Sequence, residues 1–176
     1  MKKVLLHICC GICAYAAIER LVAEGFCVEG YFYNPNIDSL EEYQKRSAVA
    51  AQVCELASCL LHEAAYEPHG WNYISRAHSA DREGGARCLL CYRLRLIQAY
   101  EMMKQCGCDF FTTTLTISPH KKSSTIIALG QEIAGAQFLP IDFKKQDGFK
   151  RSIDAAKKYD FYRQNYCGCI YSKRSS

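Results

Sequence analysis

A chain of 176 residues, 49% of them hydrophobic and with 12 Tyr among them, suffices for one domain with a real core. Its formal charge of +4 is unevenly placed: residues 121–176 carry 11 Lys and Arg against 5 acids, whereas 1–120 carry 11 against 13. The basic last third suits a polyanion such as RNA, and equally the ordinary solvation of a surface by lysine, so charge alone excludes little.

The N-terminus, Lys2-Lys3 followed by Val4-Leu5-Leu6 and later Ala14-Tyr15-Ala16, imitates a secretory signal. His7 and the packed Cys9, Cys10 and Cys13 interrupt it, and nothing approaches the roughly 18 apolar residues of a membrane span. The expectation is a cytoplasmic chain with no membrane partner. Residues 2–8 read as a strand and 14–24 as a helix stopped by Gly25. Residues 26–33 read as a second strand, ending in the turn Asn34-Pro35-Asn36. Ser39 with Glu42 forms a capping box that opens a helix through Leu56, and Ser58–Glu63 is the third strand. Ala64–Arg87, long, polar and punctuated by Pro68, Gly70, Gly84 and Gly85, reads as a small insertion carrying function. Then come a helix at Leu89–Gln105 closed by Gly107, a strand at Asp109–Leu115, a helix over 122–134 and a fifth strand at Gln137–Asp142. This alternation predicts a single α/β domain over 1–176: a Rossmann-like (HUP-type) open parallel sheet of about five strands with helices on both faces, the insertion at 64–87 and a basic C-terminal segment at 143–176.

The 12 cysteines force a choice between disulfides, metals and redox chemistry. In a reducing cytosol, thiols grouped at short spacing read as metal ligands or catalytic groups. Cys9, Cys10 and Cys13 lie where nucleotide-binding folds keep a phosphate cradle, yet CCGIC has one glycine and no phosphate fingerprint. A helix N-terminus there also favours thiolate. Cys88-Leu89-Leu90-Cys91 opens the long helix, pointing two sulfurs toward one place, as in zinc knuckles, redox dithiols and iron–sulfur sites. Cys167-Gly168-Cys169 binds metal or closes a strained, easily reduced disulfide ring. Seven thiols exceed what one tetrahedral zinc needs, and thiolate-rich surroundings select iron–sulfur clusters, zinc or cuprous copper. Cys27, Cys54, Cys59, Cys106 and Cys108 read as small buried hydrophobes.

Five segments in order, LLHICCGICA, NPNI followed by EEYQKR, CLLCYRLRL, TTTLTISPHK and YRQNYCGCIYS, resemble the QueH-type epoxyqueuosine reductases over nearly the whole chain. The resemblance implies a cytosolic enzyme of tRNA modification that reduces the epoxide of epoxyqueuosine, at the anticodon wobble position, to the alkene of queuosine. It implies a cobalamin-independent enzyme with a [4Fe-4S] cluster, a tRNA partner carrying epoxyqueuosine, and an external electron donor. By motif, Cys9, Cys10, Cys88 and Cys91 match the cluster ligands, and Cys167 and Cys169 match a redox-active dithiol. Cys13 stands where some members have aspartate; with Cys167 and Cys169 it is a candidate ligand of an additional iron ion at the epoxide oxygen.

Candidate substrate-binding residues are Ser118, His120 and Lys121, with Lys122, after a strand end; Tyr43 and Arg46, one turn apart; and Tyr162, Arg163 and Tyr166 beside the CxC pair. Arg93 and Arg95 read as mixing surface and groove roles. His69 and Trp71 are candidates for shaping the pocket, Trp71 rather as core; His7 reads as a hydrogen-bonded core residue, and His62 and His78 carry no signal. Two other classes make distinct predictions. A zinc-stabilised RNA-binding module is colourless and redox-inactive, and a secreted disulfide-rich protein is processed near Ala16 and has few free thiols.

Overall fold

The computed structural model describes residues 1–173; residues 174–176, the last of the predicted 1–176 domain and of its basic segment, lie outside the described residues. Four parallel strands, β1 (Lys3–Ile8), β2 (Cys27–Phe32), β3 (Leu60–Glu63) and β4 (Phe110–Thr113), lie in the order β3-β2-β1-β4. The helices are α1 (Gly11–Ala23), α2 (Leu40–Leu56), α3 (His69–Arg76), α4 (Ala86–Gln105), α5 (Ser123–Ala134) and α6 (Gly148–Lys158).

Strand pleating explains the two cores. Along β1, Val4, Leu6 and Ile8 point into a cluster with α1, α2 and α6, while Leu5 points into a second with α4 and α5. Alternate residues of one strand therefore bury on opposite faces, which is why KVLLHI is a continuous apolar run rather than an alternating one. His7 is buried among them, with Nδ1 2.8 Å from Thr113 Oγ1 and Nε2 3.1 Å from the Tyr33 carbonyl. A carbonyl only accepts, so Nε2 carries the proton and Nδ1 accepts from the threonine. Burial, with Arg95 nearby, holds His7 neutral, its pKa down to about 3.

The predicted fifth strand is corrected. Phe138 makes one parallel bridge to Phe111, and the Leu139 N–H reaches the Phe111 carbonyl at 2.9 Å. Pro140 then has no N–H to continue a ladder. The next carbonyls, of Leu139 and Ile141, are taken by the hydroxyls of Thr112 and Thr116, both at 3.0 Å. Strand β4 is also shorter than predicted, because Thr113 Oγ1 accepts the Leu115 N–H at 3.1 Å and turns the chain into a 3-10 helix at Thr114–Ile117. Within the insertion α3 buries Trp71, and the basic segment contributes the unpredicted α6, which packs on α1.

The glycine of CCGIC has a packing reason. A Cβ on Gly11 would lie 2.7 Å from the Ala50 backbone nitrogen and from Val49, so α1 and α2 approach through this point. Gly11→Ala is expected to cost about 1–3 kcal/mol, because backbone has to move; the denaturant midpoint measures it.

Candidate active site

In the order β3-β2-β1-β4 the chain leaves β1 toward β2 on one side, and β4 closes the other, so the crevice beyond the carboxyl ends of β1 and β4 is the switch point of the sheet. Cys9 lies there, its N–H donating to Thr114 Oγ1 at 2.9 Å and tying the two strand ends together. Cys10 is the extended N-cap of α1, and its carbonyl accepts the N–H groups of Cys13 and Ala14 at 3.1 and 3.3 Å. The two thiols face each other, so that the contact with Cys13, with Gln164 beside it, favours thiolate at Cys10 and pushes Cys13 well above the usual thiol range.

Helix α4 brings the second pair. The Gly84 N–H lies 3.2 Å from Cys88 Sγ, and Cys91 is buried one turn further. The preceding loop is pinned by Arg87, whose Nη1 donates to the carbonyls of His78, Ser79 and Asp81 and whose N–H reaches Asp81 Oδ2 at 2.8 Å. Burial pushes the Cys91 thiol up to about 12, so this sulfur needs a cation to become thiolate.

The third pair is held by the loop after β2 and by α2. Gly168 has φ +102°, and a Cβ there would lie 3.0 Å from Arg46 Nη1 and from Ile37; only glycine fits both demands. Its carbonyl accepts the Asp38 N–H at 2.9 Å, while Asp38 Oδ1 accepts the Tyr166 hydroxyl at 2.5 Å. Arg46, buried and paired with Glu42 at 2.7 Å, donates to the carbonyls of Cys167 at 3.1 Å and Tyr166 at 3.2 Å. Both cysteines of this pair are free thiols. Burial alone would raise Cys167, but the Lys121 ammonium helps to bring it below the ordinary thiol value; burial raises Cys169.

Two adjoining cavities result. The larger, about 350 Å³, has Cys9, Cys10, Cys13 and Cys167 in its wall together with Lys121 and Arg163. The smaller, about 20 Å³, has Cys88, Cys91, Cys167 and Cys169 around Arg95 and Lys121. Cys167, Lys121 and Glu83 stand in the wall of both. Arg95 Nη1 lies 3.9 Å from Cys91 Sγ and Nη2 2.5 Å from Asn34 Oδ1, and its Nε has no partner among the described residues. Arg95 and Lys121 thus stand among the sulfurs, with Arg46, Arg87 and Arg163 in the same walls.

The predicted substrate residues divide. Ser118, His120, Lys121 and Arg163 line the larger cavity, as do Arg46 and Tyr166. Tyr43 is buried, its hydroxyl donating to the Ala64 carbonyl at 2.6 Å, away from the cavity wall. Tyr162 donates to Glu42 Oε2 at 2.7 Å, so it reaches the site through the Glu42–Arg46 pair. Arg93 is a surface residue bonded twice to Glu132, whereas Arg95 is buried at the thiols. Trp71 packs with Cys91 and Cys169. Arg87, Gln164 and the anchoring Asp38 escaped the sequence reading; nothing in their local pattern sets them apart from surface polar residues.

Arg46 acts as a positioning residue for the CxC pair. Arg46→Lys keeps the charge beside Glu42 but loses the planar fork that reaches two carbonyls. The expected outcome is a loss of about 1–3 kcal/mol in stability and faster hydrogen exchange at 166–169, read by mass spectrometry.

A parallel sheet whose switch point carries thiols and buried cations, where nucleotide-binding folds keep a glycine-rich loop, has the architecture of an α/β enzyme with a cysteine-rich crevice. The profile of the epoxyqueuosine reductase QueH family matches residues 4–175, and the chain belongs to that family. It is 37% identical over 181 residues to an epoxyqueuosine reductase QueH of Streptococcus pyogenes serotype M1, covering 98% of this chain and 71% of that one. It is 36% identical to that of Staphylococcus epidermidis (97% and 76% covered) and 31% identical to that of Thermotoga maritima (98% and 91%). Among solved structures, the U34-tRNA thiolase NcsA from Methanococcus maripaludis with its [4Fe-4S] cluster shares the fold, with a TM-score of 0.58 at 14% identity over 98% of this chain and 62% of that one.

Proposed function

We propose that this chain reduces the epoxide of epoxyqueuosine in tRNA to the alkene of queuosine, in the cytoplasm, with electrons from an external donor. The observation that carries this reading is the meeting of three distant cysteine pairs, and Cys13, at two cavities sharing Cys167 and Lys121. Family membership supports it over a redox-inactive zinc module. The shared fold supports assigning the sheet to the HUP type.

The donor set fits a [4Fe-4S] cluster. All seven donors are thiols, the soft ligands that iron–sulfur clusters select. Arg95 and Lys121 offset the thiolate charge. Cys9, Cys10, Cys88 and Cys91 would hold it. When bound, such a cluster supplies electrons singly.

The remaining groups supply the rest. Deoxygenation needs two electrons and two protons and releases the epoxide oxygen as water; oxidation of the Cys167 and Cys169 thiols to a disulfide provides both pairs, and the external donor restores the dithiol. Lys121, beside Cys167 and kept charged against burial by Cys9 and Cys167, delivers a proton to the departing oxygen and regains it from the dithiol, so that the two thiol protons leave in the water. Ser118, His120 and Arg163 hold the wobble nucleoside and its phosphate. The presence of Cys13 and Cys167 in one cavity wall favours a second version, in which they and Cys169 hold an additional iron; an iron count above four per chain selects it.

The test incubates reduced, anaerobically purified protein with tRNA carrying epoxyqueuosine and follows the nucleoside by mass spectrometry. Loss of one oxygen atom supports the reading, and an unchanged nucleoside with the cluster in place defeats it.

A further inference from the structure

At the other end of α4 from Cys88 and Cys91, three donor atoms converge. Glu29, His62 and Cys106 each offer one atom, all within 4.8 Å of one another. They come from the middle of β2, from the edge strand β3 and from the C-cap of α4, so the site joins three elements across one face of the sheet. His62 Nε2 lies 2.8 Å from Glu29 Oε2 and 3.4 Å from Cys106 Sγ. The other carboxylate oxygen, Oε1, is held by Lys3 Nζ at 3.2 Å, which leaves Oε2 as a single free ligand atom.

The arrangement is poorly served by protons. Nε2 has one in-plane position: a proton there serves the carboxylate and leaves the sulfur unbonded, while a lone pair there suits the thiol and faces the carboxylate oxygen. One divalent cation satisfies all three lone pairs at once. A tetrahedral zinc with S, N and O ligands separates its donors by roughly 3.4–3.6 Å. The Cys106–His62 separation is already 3.4 Å, and the Glu29–His62 contact of 2.8 Å has to open by about 0.6 Å. Cys106 closes a helix of 20 residues, whose negative dipole end favours a cation there. Glu29 is buried, whereas His62 and Cys106 are partly exposed, which gives the ion a path and leaves a fourth position for water.

We infer that Glu29, His62 and Cys106 form a zinc site separate from the reductase centre, pinning β2, β3 and the C-terminal end of α4. On binding, the Cys106 proton passes to solvent and the His62 proton moves to Nδ1.

The test uses the cluster-loaded protein, treated with a mild chelator and titrated with Zn²⁺ under anaerobic conditions. One equivalent is expected to bind, with affinity falling about a hundredfold or more in His62→Gln and Cys106→Ala, and iron content unchanged in both. X-ray absorption at the zinc edge, read on the unsubstituted protein, keeps the proposal falsifiable even where a variant misfolds: one sulfur with nitrogen and oxygen neighbours is expected. An all-sulfur shell, which would place zinc on the seven reductase thiols, overturns the proposal, as does unaltered affinity in both variants or no binding of Zn²⁺ at micromolar concentration.

Discussion

Replacing Cys169 by Ser is expected to abolish epoxide reduction, lowering kcat about a hundredfold or more, equivalent to ~3 kcal/mol of barrier. Visible absorbance and the iron content of the four-thiol centre should stay near those of the unsubstituted protein. The reason is positional. Cys169 lines the smaller cavity with Cys88 and Cys91, yet its backbone is held independently: its carbonyl accepts from Ser172 Oγ at 2.7 Å, and the neighbouring Cys167 and Gly168 carbonyls are held by Arg46 and Asp38. A serine changes one sulfur to oxygen without disturbing that frame. A hydroxyl forms no disulfide, so the dithiol can no longer release its electron pair. Turnover is measured on tRNA carrying epoxyqueuosine, and metal content by iron and sulfide assay. Retained turnover would remove Cys169 both from the dithiol and from an additional iron.

Cys91→Ser is expected to produce the opposite signature: colourless protein with most of its iron and sulfide lost, and no turnover because the centre is missing. Cys91 is buried against Trp71 and Cys169, and burial, only partly offset by Arg95, keeps its thiol protonated up to about pH 12. Only a metal makes this group thiolate at neutral pH, so metal binding and ionisation are a single event there. The hydroxyl of serine ionises far less readily in the same surroundings and is a harder donor. Cys54→Ser is the matched control. Cys54 is buried in α2, packed against Gly30, and lines neither cavity, so its loss should leave the iron untouched.

Much of the fold is legible in local pattern. The apolar run at β1, the Gly25 stop and the Ser39 cap with its Glu42 N–H contact at 3.3 Å appear where sequence logic puts them. Local pattern failed at Gln137–Asp142, because β-favouring residues around Pro140 say nothing of which hydroxyl will take the next carbonyl. At the site, the thiols are visible through spacing. The cations are less so, since Arg93 and Arg95 are two residues apart and alike in sequence, yet helical periodicity sends one to solvent and the other among the sulfurs. The pattern that places Arg46 one turn from Tyr43 does not show that it donates to the Tyr166 and Cys167 carbonyls, 120 and 121 positions away; that is tertiary information. The Glu29, His62 and Cys106 grouping was invisible for the same reason, its members lying on three separate elements.

The wall shared by the two cavities joins parts of the chain that are far apart in sequence. Cys9 and Cys167 meet there although they lie near opposite ends of the described residues, and the Cys167 carbonyl is held by Arg46, 121 positions away, with the next carbonyl held by Asp38. Because Cys167 stands in both walls, a displacement of the CxC segment alters both cavities together.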